Sequence, residues 1–119
     1  MTAEPEFTNT VRGALANAGD VREVRMFGGI GFMLGGNLVA AISRRGLLLR
    51  VGRDQQAQAL ARPGARPMVM RGRTMDGYVY IDPPALNARE VQAGLRTAIA
   101  YVRTLPAKRT PSRARTTGK

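Results

Sequence analysis

The residues that usually perform enzyme chemistry are scarce in this sequence of 119 residues. It contains no cysteine and no histidine, which excludes thiolate nucleophiles, imidazole bases and zinc sites built from those ligands. Any acid–base or metal chemistry must therefore come from its eight carboxylates, which are Glu4, Glu6, Asp20, Glu23, Asp54, Asp76, Asp82 and Glu90. No pair among them has the setting of a buried catalytic dyad. We therefore expect a protein that is not an enzyme and binds no metal or cofactor.

Basic residues outnumber acidic ones along the whole chain. Nineteen Lys and Arg residues against eight acids give a net charge of +11. Five of the basic residues fall in the acid-free tail and are Lys108, Arg109, Arg113, Arg115 and Lys119. The remaining chain keeps fourteen basic residues against eight acidic ones, a net charge of +6. This excess favours an anionic partner. We expect any nucleic-acid contacts from the tail and from four arginines in predicted turns and loops, Arg44, Arg45, Arg71 and Arg73.

Two amphipathic segments predict helices near the two ends of the chain. Apolar residues recur at helical spacing within Glu6–Ala18 and within Asn87–Leu105. Asn87 and Glu90 fit a capping box, in which each side chain satisfies a backbone amide of the other residue. A shorter helix is predicted to begin at Asp54 as its N-cap and to continue to Ala61.

Short apolar runs between these helices predict a sheet. The predicted strands are Val21–Phe27, Ile30–Leu34, Leu38–Ser43, Leu47–Val51, Pro67–Met70 and Tyr78–Asp82. The strand that contains Pro67 belongs at an edge, because proline cannot donate a ladder hydrogen bond. Arg71–Gly77 is predicted to be a loop. Because the connections among the first four strands are too short for parallel crossovers, we expect an α+β fold. Its antiparallel meander has five to six strands, with the N- and C-terminal helices on one face.

Composition divides the chain into a folding domain and a tail. Residues 1–106 carry the apolar patterns, whereas residues 107–119 contain no large apolar side chain. Such a tail cannot bury enough surface to offset its ordering entropy, so we expect it to be disordered. The first six residues include acids and lack the basic and apolar regions of a signal peptide. We therefore expect a cytoplasmic protein.

A glycine-rich stretch and a later aromatic strand resemble a known bacterial family. The residues that carry this motif are Arg25, Met26, Phe27, Gly28, Gly29, Gly31 and Tyr78. With Leu49–Val51 and the final helix, they make Phe7–Leu105 similar to the amino-terminal domain of the TfoX (Sxy) competence regulators. The resemblance implies a stand-alone regulatory domain that acts through contacts with a protein partner and has no catalytic residues. The alternative is a basic nucleic-acid-binding protein. The sequence departs from the family at Met68–Met70, where a Phe/Tyr pair is common.

Several motifs admit two interpretations. The glycine-rich stretch suits either a turn or an anion-binding loop, although a dinucleotide fingerprint requires a glycine where Leu34 stands. Arg25 and Arg50 either face a ligand or lie solvated on the polar side of the sheet. Tyr78 and Tyr80 alternate onto one sheet face, where they either stack on nucleobases or pack in a core or interface.

The methionines and the apolar strands bear on how the sheet is covered. We expect flexible core filling from the internal methionines, which are Met26, Met33, Met68, Met70 and Met75. Strict alternation places Val39 and Ala41 on one face, and Leu38, Ala40 and Ile42 on the other. Since both faces carry apolar residues and the helices cover one of them, we expect the second face to support a homodimer.

Overall fold

A computed structural model of the protein describes residues 7–26 and 28–106. The elements in chain order are α1 (Thr8–Leu15), β1 (Val21–Met26), β2 (Gly29–Leu34), β3 (Asn37–Ser43), β4 (Gly46–Arg50), α2 (Arg53–Leu60), β5 (Ala65–Met70), β6 (Arg73–Ile81), a 3-10 turn (Pro83–Ala85) and α3 (Ala88–Val102). The six strands form one sheet in which every neighbouring pair is antiparallel. The predicted α+β class is therefore confirmed.

The strand order in the sheet is β1-β2-β3-β4-β6-β5. The first four strands form a meander, and two-residue turns suffice to connect them. Gly35 and Gly36, for example, have φ angles of 59° and 82°, which suit a hairpin turn that matches the twist of its strands. The strand that contains Pro67 lies at the sheet edge, as predicted.

The hydrophobic core lies between one face of the sheet and the helices. Its buried residues are Val11, Leu15, Phe32, Leu34, Val39, Ala40, Ile42, Leu47, Leu49, Val51, Val79, Ile81, Val91, Leu95, Ala98 and Val102. Helices α1 and α3 supply the apolar stripes predicted for them. Helix α2 has no buried residue, but its Ala59 and Leu60 pack against the same core. All three described helices therefore cover the same face of the sheet.

The helix ends differ from the predicted ones in their hydrogen bonding. The Asn87 side chain accepts a hydrogen bond of 2.9 Å from the backbone amide of Glu90, as expected of an N-cap. The Glu90 carboxylate, however, accepts a hydrogen bond of 2.9 Å from Arg62 rather than closing the predicted capping box. The prediction of Asp54 as an N-cap is wrong, because Gly52 is the N-cap of α2 and Asp54 lies in its first turn.

A β-bulge in β3 overturns the predicted alternation of its side chains. Phe32 pairs with Ala40 and Met33 pairs with Leu38, so Val39 is an extra residue in β3. A bulge of this kind shifts the phase of alternation along a strand. Val39 and Ala40 are consequently both fully buried in the core, whereas strict alternation placed them on opposite faces.

The predicted loop over Arg71–Gly77 is largely strand. Arg71 and Gly72 have φ angles of 54° and 78°, so these two residues alone make the turn between β5 and β6. Met70 pairs with Arg73 and Val69 with Thr74 on either side of it. The sequence did not predict this two-residue hairpin turn, because its first residue is an arginine and arginine rarely adopts a positive φ angle.

Candidate interaction surface on the open face of the sheet

The face of the sheet opposite the helices carries the candidate site, and we call it the open face. The strand register places one row of residues across it, in the order Val24, Gly31, Ala41, Leu48, Tyr80 and Arg66. Its apolar and aromatic residues are Val24, Met26, Met33, Leu38, Ala41, Leu48, Met68, Met70, Tyr78 and Tyr80, none of which belongs to the core. One side of an antiparallel sheet is commonly polar and solvated, so an apolar open face calls for an explanation.

Leu48 shows how apolar this face is at its centre. Its side chain is only 2% exposed, although it lies outside the core and the described helices pack on the other side of the sheet. Met68 on β5 is similarly buried, and it too does not belong to the cluster beneath the helices. Leu48 is therefore buried on a face of the sheet that none of the described helices covers.

Four of the internal methionines lie on this face rather than beneath the helices. None of the five belongs to the cluster that packs against the helices, but Met68 is itself buried, so the prediction of core filling holds for Met68 alone. The physical reason is that the three described helices cover one face of the sheet, while Met26, Met33, Met68 and Met70 lie on the other. A flexible, polarisable thioether adapts to the shape of a contact, and methionine is over-used at adaptable binding surfaces.

A hollow of about 450 Å³ lies on the open face beside β5 and β6. Its lining residues are Ser43, Arg45, Met68, Val69, Met70, Arg71 and Tyr80. Arg45 comes from the turn between β3 and β4, and Arg71 from the turn between β5 and β6. The structure therefore brings together two of the four turn arginines predicted as nucleic-acid contacts. The other two, Arg44 and Arg73, are exposed and do not line the hollow.

Arg66 fixes one wall of the hollow. Its Nε donates a hydrogen bond to Oδ1 of Asp82, and its Nη2 donates one of 2.9 Å to the backbone carbonyl oxygen of Arg45. Its guanidinium carbon lies 4.9 Å from the centroid of the Tyr80 ring, within the range of a cation–π interaction. These three contacts hold the Arg45 turn and the Tyr80 ring in place, and they occupy the Asp82 carboxylate.

The charge that remains at the hollow is positive. Among the described residues, no carboxylate lies within 4.0 Å of Arg45 or Arg71. The predicted contacts in the tail, from Lys108 to Lys119, lie outside the described residues. Within residues 7–26 and 28–106, no group of three or more acidic residues is arranged to hold a metal ion. The hollow thus combines an apolar floor of methionine and tyrosine with two available guanidinium groups.

A family model places the chain among known proteins. The model of the TfoX N-terminal domain matches residues 13–100. The chain belongs to this family. Comparison with curated proteins and comparison with solved structures each give no match. Along the part of the chain that the structure describes, no helix is long and apolar enough to cross a membrane.

The glycines of the family motif meet steric demands of the first hairpin. Gly28 has a φ angle of 74° and lies in the turn between β1 and β2. A Cβ atom on Gly29 would overlap the carbonyl oxygen of Ile42 on β3, and one on Gly31 would overlap the sulfur of Met26. The structure therefore accounts for all three glycines by a turn and by close packing, in agreement with the structural interpretation. Phe27, the aromatic residue of the motif, lies outside the described residues.

Arg25 and Arg50, which were considered as a pair of arginines facing one ligand, do not lie close together. Arg25 is exposed on the edge strand β1, whereas Arg50 is half-buried on β4, with two strands between them. The guanidinium carbon of Arg50 lies 5.7 Å from the ring centroid of Tyr78 and 5.9 Å from that of Tyr101 on α3. Arg50 therefore links the family tyrosine at the border of the open face to the last helix. Sequence periodicity gave no signal for this contact, because Tyr101 is distant in the chain.

Proposed function

We propose that this protein is a non-enzymatic regulatory domain of the kind found in the TfoX competence regulators, and that its open face binds a protein partner. Membership of the TfoX N-terminal domain family supports the regulatory role. The observation that carries the binding surface is the apolar open face, which holds four methionines, two tyrosines and the buried Leu48. We place this activity in the cytoplasm, because a chain without cysteine suits a reducing compartment in which disulfides are rare.

The apolar surface of the open face is the physical reason to expect a protein partner, because a partner would remove that surface from water. Contiguous apolar patches larger than a few hundred Å² on a soluble protein usually mark an interaction site. Val69 is 51% exposed at the rim of the hollow, so a partner that covers it removes apolar surface from water. A second copy of this chain is one candidate occupant of the face. Its signature is a dimeric mass in light scattering at about 100 μM, a concentration suited to a weak interface.

A nucleic-acid partner is the second candidate function. The net charge of +11 and the approach of Arg45 and Arg71 to one hollow support it. Arginines contact phosphates without reading base sequence, so such binding is strongly dependent on salt. Arg44, Arg73 and the basic tail extend the same positive charge beyond the hollow.

Affinity purification of the full chain separates these candidates. We expect a stoichiometric protein partner that survives nuclease treatment and is lost in Val69→Asp, which places an acid at the exposed rim of the hollow. Ala100→Asp is the matched control, because Ala100 is exposed on α3, on the helical side of the protein. Association that disappears with nuclease supports the second candidate. Association that tolerates Val69→Asp as well as the control contradicts the proposed use of the open face.

A further inference from the structure

We infer that the partner segment is an acidic amphipathic helix, whose apolar side chain enters the hollow and whose carboxylates pair with Arg45 and Arg71. This inference rests on the proposed function and specifies the chemistry of its partner. It follows from what the hollow offers at its floor, at its rim and over the surrounding surface.

The floor of the hollow is suited to a large aliphatic or aromatic side chain. Met68 and Met70 contribute flexible thioethers, and Tyr80 contributes a ring that Arg66 holds in place. A volume of about 450 Å³ accommodates a side chain of this size together with part of its backbone. Helical segments commonly dock in grooves by such apolar anchors, spaced three or four residues apart.

The rim of the hollow selects the charge of the partner. Arg45 and Arg71 belong to different turns, yet both line the hollow, and neither is within 4.0 Å of a described carboxylate. The carboxylate of Asp82 pairs with Arg66, and no acidic residue is among the described residues that line the hollow. An arginine that pairs with a carboxylate in a partly desolvated site gains charge-assisted hydrogen bonds. Arg44 and Arg73 stand at the same two turns and would steer an acidic partner towards the hollow.

A second copy of the chain and a nucleic acid fit this arrangement less well. A two-fold dimer places the same patch on both sides of the contact, so the positive charge of Arg45 and Arg71 would be brought towards a second patch of the same charge. Single-stranded nucleic acids bind on platforms of several aromatic side chains. Among the described residues that line the hollow, Tyr80 supplies the one aromatic ring, and Arg66 already covers part of it. Complementary charge therefore favours an acidic protein segment.

The test uses the full chain with its methionine methyl groups labelled for NMR. The probe is a synthetic helical peptide with leucine at every third or fourth position and Glu or Asp at the other exposed positions. The matched peptide carries Gln and Asn in place of those acids, and a random DNA duplex serves as the third ligand. We expect the acidic peptide to shift the Met68 and Met70 methyl resonances, which Met68→Leu and Met70→Leu assign. We also expect the neutral peptide to bind at least about tenfold more weakly, because it forms no charge-assisted pairs.

Charge reversals decide whether the contact is specific to the hollow. Arg45→Glu and Arg71→Glu should each lower the affinity for the acidic peptide about tenfold or more. Arg89→Glu changes the net charge equally on the exposed side of α3 and should alter the affinity no more than about threefold. Thermal unfolding of each variant verifies that it is folded.

Each outcome bears on the inference. Equal effects of Arg89→Glu and Arg45→Glu, or binding that leaves Met68 and Met70 unshifted, would overturn it, as would the absence of binding by the acidic peptide. If the neutral peptide binds the hollow as tightly as the acidic one, the acidic class is wrong while a protein contact at the open face stands. If only the duplex shifts these methyl groups, both the inference and the proposed protein partner fail.

Discussion

The side-chain amide nitrogen of Asn37 donates a hydrogen bond of 2.9 Å to the backbone carbonyl oxygen of Pro106, which lies 69 positions further along the chain. Asn37 is only 4% exposed at the start of β3. The bond therefore joins the start of β3 to the segment that follows α3. It thereby links β3 to Pro106, the last residue that the structure describes.

Removing this bond should destabilise the fold. We expect Asn37→Ala to lower the free energy of unfolding by about 1 kcal/mol, the typical net value of an intramolecular hydrogen bond. Urea denaturation followed by circular dichroism measures the change. Asn17→Ala, at an exposed position after α1, is the matched control and should change the free energy by less than about 0.5 kcal/mol. Equal stability of the Asn37→Ala variant and the control would show that the bond contributes nothing measurable.

A second prediction compares a glycine of the family motif with a glycine of α1. Replacing each with alanine should change the free energy of unfolding in opposite directions. Gly29→Ala places a Cβ atom on the carbonyl oxygen of Ile42, a backbone atom that cannot rotate away. We expect a loss of about 2 kcal/mol or more in the free energy of unfolding, within the range of overpacking. Gly13→Ala lies in α1, where a Cβ atom meets nothing within 4 Å. That substitution should stabilise the protein by about 0.5–1 kcal/mol, because alanine loses less backbone entropy in a helix. Chemical denaturation that gives both variants the same sign would refute this account.

The local patterns that predicted α1 and α3 succeeded because each of these two helices has one apolar stripe. The residues of α1 and α3 that periodicity assigned to the core, such as Val11 and Leu95, are fully buried there. Antiparallel pairing was similarly accessible, because two-residue connections permit no other geometry. These elements depend on short-range spacing, which a single sequence contains in full.

The open face could not be predicted in the same way. The bulge at Val39 changes which side chains of β3 face the core. Such a bulge depends on how two strands pair rather than on either strand alone. The positions of Met68 and Met70 depended on which face the helices cover, and composition does not specify this. The contact of Arg45 with Arg66 joins the turn between β3 and β4 to the edge strand β5, on the far side of β6. The candidate site therefore arises from long-range packing, although its residue types were visible from the start.

Glu23 gives a prediction about pH dependence. Arg12 donates two hydrogen bonds to its carboxylate, from Nε at 2.8 Å and from Nη2 at 3.0 Å. These bonds lower the pKa of Glu23 below its ordinary value, while desolvation opposes them. Because the folded-state pKa is the lower one, the contribution to stability is fully present above the unfolded-state pKa. It is lost as the pH falls through the folded-state pKa.

Glu23→Gln should therefore reduce stability at pH 7, and the difference from the wild type should vanish in acid. Both side chains are more than a third exposed, so solvent screening limits the effect at pH 7 to about 0.2–1 kcal/mol. Denaturation midpoints measured from pH 7 down to below the ordinary glutamate range test the trend. Asp20→Asn is the control, because its 3.9 Å pair with Arg22 is long and highly exposed. A difference for Glu23→Gln that grows as the pH falls would contradict the sign.

The basic tail yields the last prediction, which concerns nucleic acid and is independent of the open face. We propose that the tail contributes affinity for nucleic acid without sequence preference, because it carries five basic residues and no acid. If all five neutralise phosphates, the slope of log affinity against log salt is about −4.5 on duplex DNA. Raising salt from about 50 to about 200 mM should then weaken binding roughly 500-fold. Fluorescence anisotropy with a random duplex measures this slope for the full chain.

Replacing the five tail residues with glutamine keeps the chain length and removes their charge. We expect the salt slope to fall towards zero, since phosphate contacts supply the affinity. The comparison variant keeps the tail and instead replaces four arginines at the turns with glutamine: Arg44, Arg45, Arg71 and Arg73. If the tail variant keeps both the affinity and the slope of the wild type, the tail does not bind. If the turn variant alone loses them, the hollow with Arg45 and Arg71 is a nucleic-acid site and the assignment of an acidic partner to it fails.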